Sequence, residues 1–155
     1  MTKQFLNVFL ADDDTDDCQF FREALEELPL STNLTTFADG EQVMQYLNTA
    51  TALPDVLFLD LNMPLKNGYQ CLEEKKKNSK FKQLPVIIFS TFYEPTIADK
   101  LYKSGARYYI CKPSDFTQLK DVIRIALMLI INPPKSIKDK AVYMLNDLEK
   151  TLFVK

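Results

Sequence analysis

Val56-Leu57-Phe58-Leu59-Asp60 is the stretch on which the reading of this 155-residue chain turns. Four consecutive apolar residues without polar alternation suit a strand buried on both faces, as in the middle of a parallel sheet. The charge of Asp60 marks where that strand leaves the core. The strand is placed at residues 55–60, and Asn62-Met63-Pro64 with Asn67-Gly68 supplies the loop after it.

Upstream, residues 5–11 are apolar except for Asn7 and are stopped by Asp12-Asp13-Asp14-Thr15-Asp16-Asp17, which reads as a buried strand ending in a charged loop. Cys18, Phe21, Leu25 and Leu28 then recur at helical spacing. Asp16 and Asp17 stand at the positive end of that helix, and Pro29 lies just beyond its close. Residues 34–38 read as a short second strand, and Asp39-Gly40 turns it into a helix bearing Val43, Met44 and Leu47.

Downstream of Asp60, a helix with Cys71 and Leu72 precedes a basic, polar segment at residues 75–83. Residues 85–90 form the fourth strand. Pro95 opens a helix with Ala98, Leu101 and Tyr102, which Gly105 closes as a left-handed C-terminal residue. Residues 108–111 are the fifth strand; after Lys112-Pro113, residues Phe116, Leu119, Val122, Ile123, Ala126, Leu127 and Ile130 make an amphipathic last helix. Five strands alternating with five helices describe a doubly wound α/β fold with a parallel sheet in the order 2-1-3-4-5. Residues 1–131 make this one domain.

Asn132-Pro133-Pro134 breaks the composition and sets off residues 132–155 as a C-terminal helical extension, with Ile137, Ala141, Met144, Leu145, Leu148 and Leu152 at helical spacing. No effector domain is expected after the last helix. The extension reads as an extra tail helix packed on the domain, with homodimerisation or partner recognition through it or the last helix left open. Residues 122–131 are apolar on more than one face, so a second buried surface is expected there.

Composition narrows the chemistry. A net charge of −2 offers no basic face for a phosphate backbone, so nucleic acid is not an expected ligand. No apolar run reaches membrane-spanning length, and Cys18, Cys71 and Cys111 read as reduced, buried thiols, which points to the cytoplasm. The chain contains no His, which removes the commonest general base and zinc ligand. Carboxylates, hydroxyls and lysines must carry the chemistry.

In such a sheet, ligands sit beyond the carboxyl ends of the strands where the strand order reverses, which brings Asp12, Asp13 and Asp60 together. Two unit charges 4 Å apart repel by about 4 kcal/mol at an effective dielectric of 20, so three converged carboxylates imply a hard divalent cation such as Mg²⁺. An aspartate beside that metal can attack a phosphoryl donor. Ser90 and Lys112, at the next two strand ends, offer a hydroxyl and an ammonium to phosphoryl oxygens. Strand alternation from Val86 and Ile88 favours Ser90 over Thr91.

Leu10-Ala11-Asp12-Asp13-Asp14, Leu59-Asp60-Leu61-Asn62-Met63-Pro64, Pro85-Val86-Ile87-Ile88-Phe89-Ser90 and Gly105-Ala106 with Tyr109-Ile110-Cys111-Lys112-Pro113 together resemble response-regulator receiver domains of two-component signalling. Any one block is a weak signal; the four in order are specific. The resemblance implies a flavodoxin-like fold and a stand-alone, single-domain regulator like the chemotaxis receivers. In it Asp60 would accept a phosphoryl group from a sensor histidine kinase or a histidine phosphotransfer protein. Asp13, Asp60 and the Asn62 backbone carbonyl would hold Mg²⁺ or another divalent cation such as Mn²⁺, with Asp12 helping through water. Ser90 and Lys112 would read the phosphoryl group, Tyr109 would act with Ser90 as the switch, and Lys112-Pro113 would be a cis peptide. The output would be contact with a downstream protein, and hydrolysis of the aspartyl phosphate would be slow rather than a turnover activity.

Three rival readings are weaker. A calcium loop starting at Asp12 has Asp17 where the sharp turn needs Gly. A phosphatase with an aspartate nucleophile needs a second aspartate two residues on, where this chain has Asn62. A phosphorylation-independent binding module of receiver type usually lacks one of the acid, hydroxyl or lysine positions, and all are present here.

Overall fold

The computed structural model describes residues 5–134 and 143–146. Among the described residues, β1 (Phe5–Ala11), β2 (Ser31–Phe37), β3 (Val56–Leu59), β4 (Val86–Ser90) and β5 (Tyr108–Cys111) form one parallel sheet ordered β2-β1-β3-β4-β5. Alternating with them are α1 (Thr15–Glu26), α2 (Gly40–Thr49), α3 (Gly68–Lys77), α4 (Pro95–Lys103) and α5 (Phe116–Ile131). This is the doubly wound, flavodoxin-like fold with five flanking helices that the alternation predicts.

The sheet separates two apolar layers. On one face Val43, Met44 and Leu47 of α2, Cys71 and Leu72 of α3, and Ala98 and Leu101 of α4 pack on Phe9, Leu57, Leu59 and Ile88. On the other, Phe21, Ala24 and Leu25 of α1 and the buried side of α5 pack on Val8, Leu10, Phe58, Ile87 and Ile110. Because β3 and β4 are covered on both sides, none of their side chains reaches solvent, which accounts for their unbroken hydrophobicity.

Four local expectations are corrected. β2 begins at Ser31 rather than residue 34, because Phe5 to Ala11 pair with Ser31 to Phe37 along their whole length. It is an edge strand, so its outer residues are polar and the apolar signal is faint. The helix does not give way to the basic segment at residue 75: α3 runs on to Lys77, where three lysines in the last turn suit the negative helix end, and a 3₁₀ turn (Ser79–Phe81) buries Phe81. β3 stops at Leu59, with the Asp60 N–H still bonded to the Ala11 carbonyl at 3.0 Å. The Lys112–Pro113 peptide is trans, the form that X-Pro bonds favour by about 0.5–1 kcal/mol.

The segment set off by Asn132-Pro133-Pro134 is described only at residues 143–146; the rest of the predicted tail helix lies outside the described residues. The described part lies along β5, with Met144 bridging Tyr109 in parallel. Leu145 enters the α5 layer, which supplies the second apolar contact expected of that helix. No helix among the described residues is long and apolar enough to cross a membrane.

Two helix starts are fixed by side chains close to the acidic loop. The Asp14 carboxylate accepts the Asp16 and Asp17 N–H groups, and Asn67 and Gln70 form a reciprocal capping box at α3. The first residue of α3, Gly68, lies against the Asp60 backbone: a Cβ there would meet the Asp60 carbonyl oxygen at 2.4 Å and the Leu61 Cα at 2.9 Å. Gly to Ala within a helix ordinarily stabilises by about 0.5–1 kcal/mol. Gly68→Ala is expected to have the opposite sign, a loss of about 1–3 kcal/mol in urea unfolding, because backbone atoms must shift to admit the methyl group.

Candidate functional site

Asp12 and Asp13 leave the end of β1, and Asp60 leaves the end of the adjacent β3. One carboxylate oxygen from each lies within 4.8 Å of the other two, with Asp12 and Asp60 buried and Asp13 exposed. From the end of β5, Lys112 reaches into this group. Its ammonium lies 2.7 Å from Asp12 Oδ2, 2.7 Å from Asp17 Oδ2 and 3.4 Å from Asp60 Oδ2. It also sits 5.2 Å from the centre of the Phe89 ring, which packs edge-on against Phe21 below it.

Each buried carboxylate has one oxygen held and one free to deal with Lys112. Asp12 Oδ1 accepts the Asp14 N–H at 3.0 Å, and Asp60 Oδ1 accepts the Leu61 N–H at 2.8 Å. The remaining oxygens, Oδ2 of both, face the ammonium. Burial pushes the Asp12 carboxyl up to about 6 despite the nearby ammonium. For Lys112 burial acts to lower the pKa, but bonds to Asp12 and Asp17 outweigh it and hold the ammonium above its ordinary value.

Ser90 ends β4 and is fully buried, whereas Thr91 is exposed. Ser90 Oγ accepts the Phe92 N–H at 3.2 Å, and its carbonyl accepts the Lys112 N–H at 2.8 Å. Tyr109 is also fully buried; its hydroxyl donates to the Phe92 carbonyl, and Tyr93 meets its ring edge-on at 5.5 Å. Asn62 lies in the loop after β3 with an exposed side chain. The structure thus brings Asp12, Asp13, Asp60 and Lys112 into one cluster and places Ser90 and Tyr109 on the adjoining strand ends.

Asp17 belongs to this cluster, a role beyond the one that its position at the helix start suggests. The signal available was its membership of the acidic run that follows β1. Beside Lys112, a cleft of about 320 Å³ opens between α1 and the start of α5, lined by Phe20, Phe89, Pro113 and Phe116 among others; Phe20 is half exposed. The thiols of Cys18 and Cys71 are pushed up to about 11 and about 12 by burial, and neither is a nucleophile at neutral pH.

A parallel 2-1-3-4-5 sheet with acids, hydroxyl and lysine at its carboxyl end is a doubly wound α/β domain with its polar cluster where such sheets bind ligands. The family model described as the response regulator receiver domain matches residues 8–124, and the chain belongs to that family. Protein RcaC of Microchaete diplosiphon is 32% identical over 116 residues, covering 75% of this chain and 17% of that protein. This chain therefore spans about a sixth of RcaC. The phosphorylated cyanobacterial phytochrome response regulator RcpA superposes with a TM-score of 0.76 at 26% identity, covering 84% of this chain and 97% of that one. The Mn²⁺-bound form of response regulator Rcp1 gives a TM-score of 0.74 at 22% identity, over 84% and 97% of the two chains, and shares the fold. Receiver domains act in two-component signalling and are not turnover enzymes.

Asp12 sets a testable pH dependence. Its folded-state pKa lies above its unfolded value of 3.8, so between about pH 4 and 6 the folded protein binds the extra proton and stability falls as pH rises through that window. Above the window the full cost of a buried carboxylate is present. In chelator-treated protein, Asp12→Asn is expected to raise unfolding free energy at pH 7.5 by at most about 3 kcal/mol. The gain should shrink towards zero as the pH falls to 4; urea melts across that range measure it.

Proposed function

We propose that this chain is a two-component response regulator in which Asp60 accepts a phosphoryl group, with a divalent cation, from a histidine kinase or histidine phosphotransfer protein. The observation that carries this reading is the convergence of three carboxylates with Lys112 beside the one oxygen of Asp60 that no backbone group holds. Residues 1–131 would be the signalling unit and residues 132–155 an accessory segment. The relatives named as phosphorylated and as Mn²⁺-bound support the assignment of both phosphoryl group and metal.

Asp60 Oδ2 is the nucleophile. It attacks phosphorus as the P–N bond of the donor phosphoimidazole breaks, and the imidazole leaves with the bonding pair and takes up a proton. The donor set fits Mg²⁺: carboxylate oxygens of Asp13 and Asp60, the backbone carbonyl of Asn62, and water steered by Asp12, all hard ligands. Held by these residues, a divalent cation would supply charge neutralisation for the transferring group. Lys112 then exchanges its contact with Asp60 for one with a phosphoryl oxygen, and Ser90 Oγ, which can accept from Phe92 and donate at once, binds another. The cleft beside Phe20 would receive the apolar flank of the donor protein.

Asn62 holds the place two residues on where an aspartate could activate water, the chain has no His, and the neighbouring carboxylates would be engaged by the cation and by Lys112. Slow loss of the phosphoryl group follows, which suits a stored signal. The switch would be read by a downstream protein through the Ser90–Tyr109 side of the sheet.

Incubation with acetyl phosphate and millimolar Mg²⁺ is expected to add 80 Da to the intact protein by mass spectrometry, about the mass of one phosphoryl group in place of a proton. Asp60→Asn should take up none, and Lys112→Ala far less than wild type. A wild-type protein that stays unmodified would sink the proposal and leave the binding-module reading in its place. Mg²⁺ alone should raise the melting temperature by relieving carboxylate repulsion, by about 3–6 °C at ten times its dissociation constant. That rise should vanish in Asp13→Ala.

A further inference from the structure

β5 is the outer strand of the sheet, and its free side would expose unpaired backbone groups. Residues 143–146 satisfy them. The Tyr109 N–H donates to the Tyr143 carbonyl at 2.9 Å. The Asn146 carboxamide then stands in for a further residue of strand. Its Oδ1 accepts the Cys111 N–H at 2.8 Å, and its Nδ2 donates to the Cys111 carbonyl at 2.8 Å.

The side chains clasp both faces of that edge. Tyr143 is buried on the α4 side, edge-on to Tyr102 at 5.0 Å and to Tyr109 at 6.1 Å. Leu145 is fully buried on the α5 side. Yet the docked segment carries a penalty, because the Tyr143 hydroxyl is buried without a hydrogen-bond partner among the described residues. Release would return that hydroxyl to water.

Two routes of contact join this edge to the acidic site. In the first, the Phe92 N–H bonds Ser90 Oγ, the Tyr109 hydroxyl bonds the Phe92 carbonyl, and the Tyr109 N–H bonds Tyr143. In the second, Cys111, gripped on both backbone groups by Asn146, immediately precedes Lys112, which the acids hold. A dianionic phosphoryl group on Asp60 competes with Asp12 and Asp17 for the ammonium and draws on the Ser90 hydroxyl proton, turning the oxygen that accepts the Phe92 N–H. Both changes strain the contacts that fit the docked segment.

We infer that the β5 edge is a strand-docking site held by the chain's own residues 143–146, and that phosphorylation of Asp60 releases this segment so that a partner can add a segment of its own in its place. The coupling half rests on the function proposed above; the docking half does not. The geometry defines the partner's chemistry: an aromatic residue, one bridging residue of strand, then an aliphatic residue and a carboxamide at the opening of a helical turn. Main-chain bonds would give affinity and those three side chains specificity.

Amide hydrogen exchange on the full chain, read at single residues by NMR, tests both halves. In the unphosphorylated protein the Tyr109 and Cys111 amides should be protected, and Asn146→Ala should expose the Cys111 amide while leaving that of Asp60, which bonds Ala11, unchanged. With Mg²⁺ and beryllofluoride, both β5 amides of the wild type should exchange about tenfold faster or more, with Asp60 again unchanged. By reciprocity, Asn146→Ala should bind beryllofluoride more tightly than wild type at the same Mg²⁺ concentration, read by fluorine NMR titration. Unaltered Cys111 exchange in Asn146→Ala would overturn the docking. A fluorine spectrum showing bound beryllofluoride, with β5 protection intact, would overturn the coupling and spare the phosphoacceptor. Absence of bound beryllofluoride would remove the phosphoacceptor and the coupling together, and the variant would still report on the docking.

Discussion

Three carboxylates, of Asp12, Asp17 and Asp60, meet one ammonium at the carboxyl end of the sheet, and Lys112 is separated from Asp12 by 100 residues of chain. Local preferences cannot assemble such a set; the strand order 2-1-3-4-5 and the parallel register of β1, β3, β4 and β5 do it. Burial decides how strongly these charges are felt. With Asp12 and Asp60 out of water and Lys112 nearly so, the ion pairs operate far from bulk dielectric, and breaking any one leaves a desolvated charge behind.

The two apolar layers are what make this arrangement tolerable. Phe21, Phe58 and Phe89 interlock edge-on beneath the site, with Phe89 also lying under the Lys112 ammonium. Gly68 packs so tightly on the Asp60 carbonyl that the loop after β3 has little room to relax. Repulsion among the acids is therefore borne by a rigid frame and stays available to a cation or to a phosphoryl group.

Much of this was legible from residue types alone. An unbroken apolar run ending in Asp60 can sit only in a doubly covered strand, and the same logic placed Asp12, Asp13, Ser90 and Lys112 at strand ends. Gly105 has the positive φ of 104° expected at the close of α4. What escaped has a common physical cause. Asp17, the early start of β2 and the seat of residues 143–146 depend on partners distant in sequence, and periodicity reports only on neighbours. Asn146 is the clearest case: its carboxamide completes a backbone ladder with Cys111, 35 residues away in the chain. The lysines of α3 misled differently, because a run of charge suggests that the helix has given way until its negative end is there to receive it.

β5 joins the two ends of this chemistry in four residues. Its Tyr109 and Cys111 are tied on the outer side to residues 143–146, and the next residue, Lys112, is tied on the inner side to the acids. A strand so short, with its neighbours already bonded on both sides, has no loop or bulge in which to absorb a displacement of Lys112. Motion at the lysine must appear at the edge or be refused at the site. Either outcome is a free-energy coupling, and its sign is set by which geometry the 143–146 contacts fit: in this structure they fit the one in which Lys112 is held by Asp12 and Asp17.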